Sequence, residues 1–227
     1  MYPQYGQILA SCGYNGDCII HQKQQNGQWV VAYKEKRNQA FNSVSWAAAE
    51  CKYRLYHNIF PALLKKSTFL VGLMLAVACG NQHILIIQKT SNGWETSEIP
   101  EAHSQSVKSV SWSPGNAPSS LFKKPEEEQS LLRLVSGGDE KQAKIWWKDA
   151  SKPNSEWQVE AILDGHSNWI TDVAWAPNIG LPEEQIATAG TDNQVIMSLI
   201  FKKMTIFFFK NKNILKIDPY LVTTFKL

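Results

Sequence analysis

Between Asp164 and Asp192 the apolar positions fall in short alternating runs cut by turn residues. Gly165-His166 opens the stretch. Ile170, Val173 and Trp175 then mark a strand closed by Ala176-Pro177, a polar bend runs through Pro182, and a second strand follows from Gln185 to Ala189. Gly190-Thr191-Asp192 makes the next turn. Strand, bend, strand and turn in this order predict an antiparallel meander. None of it carries a catalytic pattern.

The same pattern returns along the chain. EAHSQSVKSVSWSP around Trp112 repeats the His, the two apolar positions before the Trp and the closing Pro, and FNSVSWAAAE around Trp46 is a copy without His or Pro. The second strand and turn recur as ILASCGYN, LAVACGN, LVSGGDE and IATAGTD, with Asn15, Asn81, Glu140 and Asp192 at the turn. Six residues beyond each turn stand His21, Ile87, Trp146 and Ser198. A hairpin signal follows at Asn26-Gly27-Trp29 and Asn92-Gly93-Trp94, and more loosely at Asn154 to Trp157. Each repeat is thus predicted to hold four short strands, the pattern of one propeller blade.

Residues 1–199 are read as the repeat array, with a non-repeat insertion at about 51–71. Residues 200–227 are read as a tail outside the array. Phe, Ile, Lys and Asn fill seventeen of its twenty-eight positions. These are residues that A- and T-rich codons encode, so both stretches suit translated non-coding sequence; a natural loop and tail are the alternative. The apolar run Phe69 to Cys79 has eleven residues, short of the ~20 that a membrane span needs. It is read as a strand buried on both faces.

Composition narrows the function classes. The net charge of +3 is too small to argue for nucleic acid or an anionic membrane. Four cysteines (Cys12, Cys18, Cys51, Cys79) form no CxxC pair, and no basic start followed by an apolar segment routes the chain to an oxidising compartment. Cys51, His57, Cys79 and His83 are zinc-type residues without finger spacing, and Cys79 stands where other repeats have Gly13, Gly138 and Gly190. His103 and His166 have no nucleophile in a recognisable frame. They are read as structural, bonded to Ser136 and either Asp139 or Glu140 in one repeat, and to Thr188 and Asp192 in the other. Gly137-Gly138 lacks the Lys and Ser/Thr of a phosphate loop. No catalytic, cofactor or metal residue is assigned. The structural positions are Trp46, Trp112, Trp175, Trp146, His103, His166, Ser136, Thr188 and Asp192.

These repeats resemble the WD-repeat β-propellers. YGQILASCGYNGDCII, FNSVSW, EAHSQSVKSVSWSP, RLVSGGDEKQAKIWW and WITDVAWAPNIGLPEEQIATAGTDNQV are closest to the small propeller subunits of the COPII outer coat, which also serve the Y-shaped complex of the nuclear pore. The resemblance implies an all-β fold, here about three full blades and parts of two, from a form that is six-bladed and open. It implies a non-enzymatic scaffold in ER-to-Golgi transport that accepts a blade donated by a protein partner. The place would be the cytoplasmic face of the endoplasmic reticulum and the nuclear pore. Nucleic acid, membrane insertion and a small-molecule substrate are not implied. Departures are Asn15, Asn81 and Glu140 at the turn, and His21, Ile87 and Ser198 where only Trp146 keeps the expected indole. The partner-facing first and last blades are expected to be absent, which leaves the partner-binding residues unassigned. Another WD-repeat adaptor is the alternative reading.

Overall fold

A computed structural model describes residues 7–48, 73–114, 131–152, 154–177, 183–202 and 220–226. These residues form fifteen strands and four antiparallel sheets. The first sheet runs β1 (Ile8–Cys12), β2 (Asp17–Lys23), β3 (Trp29–Lys36). The second is β4 (Phe41–Trp46), β5 (Met74–Cys79), β6 (Ile84–Thr90), β7 (Gly93–Ile99). The third is β8 (Val107–Trp112), β9 (Leu131–Gly138), β10 (Ala143–Asp149), β11 (Gln158–Leu163). The fourth is β12 (Ile170–Trp175), β13 (Glu183–Gly190), β14 (Val195–Lys202), β15 (Tyr220–Lys226).

The faces of the inner strands explain their composition. In β5, Met74, Ala76 and Ala78 pack toward the third sheet, whereas Leu75, Val77 and Cys79 pack toward the first. A strand flanked on both sides reads as a continuous apolar run, so the run ending at Cys79 is a core strand from Met74 onward. β9 is built likewise, with Leu132 and Leu134 toward the second sheet and Val135 toward the fourth. The outer strands β7 and β11 are largely exposed.

The leading strands of successive sheets lie side by side, β4 on β8 and β8 on β12. Each carries a bulge at the same repeat position, after Phe41, Val107 and Ile170. Trp46, Trp112 and Trp175 end these strands opposite Leu75, Leu134 and Ile186. Each indole packs into the cluster shared with the preceding sheet. Polar bonds stitch the same strands together: the Trp112 N–H donates to Ser45 Oγ at 3.2 Å and the Trp175 N–H to Ser111 Oγ at 3.1 Å. Ser109 Oγ donates to Asp172 at 2.7 Å and Asn42 Nδ2 to the Val107 carbonyl at 2.6 Å.

The tail expectation is corrected at two places. β14 continues through Ile200 to Lys202, and β15 pairs with it in register from Ile196↔Lys226 to Lys202↔Tyr220. The fourth sheet is therefore four-stranded. The physical reason is that YLVTTFK is rich in β-branched and aromatic residues, which suit a pleated surface. The insertion at 51–71 lies outside the described residues.

Candidate functional site

Two histidine networks sit at the turn end of the third and fourth sheets. In the third, the Trp146 indole N–H donates to Ser136 Oγ at 2.9 Å. That leaves the Ser136 hydroxyl proton for His103 Nε2 at 2.6 Å, so His103 Nδ1–H donates to Glu140 at 2.7 Å. Glu140 also accepts the Ser104 N–H and hydroxyl, each at 2.7 Å, and meets Lys144 Nζ at 2.8 Å. One neutral tautomer thereby satisfies every group in the chain. Of the two acids considered for this place, Glu140 occupies it; Asp139 pairs with Lys108 at 3.2 Å.

In the fourth sheet His166 Nδ1 lies 3.0 Å from both Asp192 oxygens and Nε2 lies 3.0 Å from Thr188 Oγ1. Ser198 stands where the third sheet has Trp146, and Thr188 Oγ1 lies instead 3.4 Å from the Ile196 carbonyl. The close fit explains the glycine at 190. A Cβ there would come within 2.5 Å of His166 Nδ1. The second sheet lacks this histidine: Cys79 stands at the position of Gly190, and Val77 and Ile87 replace the polar pair.

Both imidazoles use both nitrogens on the protein itself, and His103 is 1% exposed. Neither presents a free base to a substrate. Among the described residues no three His, Cys, Asp or Glu side chains gather in a metal-binding group. Cys79 and His83 are described and Cys51 and His57 are not; the Cys79 thiol packs into the apolar core between the first two sheets.

Burial holds the His103 imidazole down at about 4, against the pull of Glu140. Burial would raise Glu140, but Lys144 and the Ser104 donors bring it to about 2. From the ordinary 6.5 down to about 4 the unfolded chain takes up a proton that folded His103 refuses. Stability from this group is therefore complete above about pH 6.5 and falls as pH drops, by about 2 kcal/mol near pH 5. Glu140 adds a loss in the same direction from about 4.5 toward 2. Urea titrations across this range should show the decline, and His103→Gln should flatten its upper part. Ser136→Ala should orphan the Trp146 N–H and His103 Nε2 together, costing about 1–3 kcal/mol; the shift of the urea midpoint at pH 7 reads it.

A second polar cluster joins the third and fourth sheets and has no counterpart in the repeat pattern. Arg133 on β9 is 5% exposed and meets Glu160 through Nε at 2.6 Å and Nη2 at 2.8 Å. Its Nη1 donates to Glu184 on β13, and its guanidinium lies 4.9 Å from the Trp175 ring centre. Glu160 is the extra residue of a bulge, since Trp146 pairs with Val159 where Ile145 pairs with Ala161. The bulge aims its carboxylate at the guanidinium. Burial opposes the charge of Arg133, but Glu184 and Glu160 outweigh it and raise its pKa. The one sequence signal was a lone charge in the apolar run LLRLV.

The outer faces of the first and fourth sheets differ from those between sheets. On β1, Leu9 is 37% exposed, and Ser11 is open too. On the fourth sheet Ala174 is exposed, Ala187, Ala189, Met197 and Leu199 are half-buried, and Val195 is 42% exposed.

A family model described as "WD domain, G-beta repeat" matches residues 157–197, the stretch from β11 into β14. The chain is 35% identical over 201 residues to the Protein SEC13 homolog of Drosophila melanogaster, covering 86% of this chain and 50% of that protein. It is 31% identical over 203 residues to the protein transport protein sec13 of Aspergillus clavatus, covering 86% and 61%. The corresponding protein of Aspergillus fumigatus is 32% identical, with 86% and 58% covered. The chain thus spans about half to six-tenths of the length of these relatives. Three four-stranded sheets, recurring tryptophans and His–Ser/Thr–acid networks agree with the match to a WD repeat, and along most of its length the chain is similar to the Sec13 proteins.

Proposed function

We propose that this chain serves as a non-catalytic scaffold in protein transport, as part of a COPII-type outer vesicle coat at the cytoplasmic face of the endoplasmic reticulum. The observation that carries the reading is similarity to Sec13 transport proteins along 86% of the chain. The physical picture fits it. Antiparallel sheets whose two described histidine networks engage both ring nitrogens of each imidazole are suited to holding a shape. Further β structure from a protein partner would pack on the apolar outer face of an end sheet, as successive sheets pack on each other within the chain. Backbone pairing at a sheet edge would add affinity and needs no reactive side chain. The same scaffold would suit the nuclear pore.

Proximity labelling from the tagged chain in its own cells tests the assignment. Coat subunits and markers of endoplasmic reticulum exit sites should be enriched. Enrichment of nuclear-pore scaffold proteins alone would move the function to the pore. Enrichment of neither set would overturn the proposal.

A further inference from the structure

The first sheet places two thiols directly opposite each other. Cys12 ends β1 and Cys18 lies in β2, and the strand register pairs them. Both are free, with Cys18 buried and Cys12 half-buried, and both side chains face the core shared with the second sheet. The bonds on either side of the pair fix its type. Gly13 N–H donates to the Asp17 carbonyl at 3.0 Å and Lys23 N–H to the Gln7 carbonyl at 2.7 Å. Counting in twos from either bond, the pairs at 7, 9, 11 and 13 are hydrogen-bonded and those at 8, 10 and 12 are not. Cys12 and Cys18 thus occupy a non-hydrogen-bonded pair, where Cα atoms lie about 4.5 Å apart. A disulfide spans Cα separations of about 4.4–6.8 Å.

The repeats show that packing does not demand sulfur here. Equivalent pairs in the other sheets are Ala78↔Ile84, Gly137↔Ala143 and Ala189↔Val195. Cys79 has no thiol opposite, because it pairs with Phe41.

We propose that Cys12 and Cys18 form a cross-strand dithiol site that a peroxide-class oxidant closes to a disulfide. The half-buried Cys12 reacts first. Its thiolate attacks one peroxide oxygen, the O–O bond breaks, and the departing hydroxide takes a proton and leaves as water. Cys12 becomes a sulfenic acid. Cys18 sulfur then attacks Cys12 sulfur as the S–O bond breaks, and the departing hydroxide carries off the Cys18 proton as a second water. Each sulfur loses one electron, and the peroxide takes up both. Burial raises the Cys12 thiol and pushes that of Cys18 up to about 12, so the pair rests in the reduced thiol form and closes slowly. Once closed, the bond staples the hairpin that leads the first sheet.

The test treats the folded full chain with hydrogen peroxide, alkylates remaining thiols, and maps tryptic peptides by mass. No Lys or Arg precedes Lys23, so both residues fall in one peptide ending there. That peptide should appear unalkylated and lighter by two hydrogens, with two of the four thiols lost, and dithiothreitol should restore both. Cys79→Ser should leave the result unchanged. Cys18→Ser should stop the reaction at a sulfenic acid on Cys12, trapped by dimedone. Cys12 and Cys18 both alkylated after peroxide, or either linked instead to Cys51 or Cys79, would overturn the site. So would sulfinic acid at Cys12 without any disulfide.

Discussion

Arg133→Met should cost about 3–5 kcal/mol of folding stability, because it strands two carboxylates away from water. Glu184 is 7% exposed and the Glu160 side chain 10%. Methionine keeps much of the volume over Trp175 but supplies no donor, so the loss is electrostatic before it is steric. The triple variant Arg133→Met, Glu160→Leu, Glu184→Leu should regain most of the stability. A buried ionic cluster replaced whole by apolar side chains is often neutral or better. Urea unfolding followed by tryptophan fluorescence distinguishes the two. A single variant as stable as the parent would mean that water reaches the cluster.

Trp175→Ala should be comparably severe, costing about 3–5 kcal/mol through the void it leaves. The indole is 6% exposed and packs with Ile170, Val173, Ile186 and Ile200 against the third sheet. It also carries the guanidinium of Arg133 on its ring, so the two substitutions should be strongly non-additive. Trp175→Phe should be much milder. It keeps an aromatic face for Arg133, and the indole N–H makes no hydrogen bond that phenylalanine would forfeit. The same fluorescence titration on both single variants and the double variant gives the coupling directly.

Comparison of these two sites shows how far the chain was legible as sequence. The tryptophans could be read because a repeat supplies its own control: the same spacing at Trp46, Trp112 and Trp175 fixes a common place in the sheets. The histidine partners were readable for the same reason, down to a choice between Asp139 and Glu140. Arg133 was not. Its partners come from a bulge on β11 and from the next sheet, and the other repeats hold no matching charge to reveal the pairing. β15 was missed for a different reason. Composition averaged over residues 200–227 hid a seven-residue segment with strand character, YLVTTFK.

The bonds between leading strands carry one more consequence. The amide hydrogens of Trp112 and Trp175 point away from their own sheets and are held by the hydroxyls of Ser45 and Ser111. Ordinary ladder amides are released when a strand frays within its sheet. These two are released only when one sheet parts from its neighbour, so their deuterium uptake would clock the separation of sheets independently of fraying. At the next equivalent position stands Ala174, whose methyl offers no such acceptor. Whatever packs beyond the fourth sheet must bring its own partner for the amide it presents there.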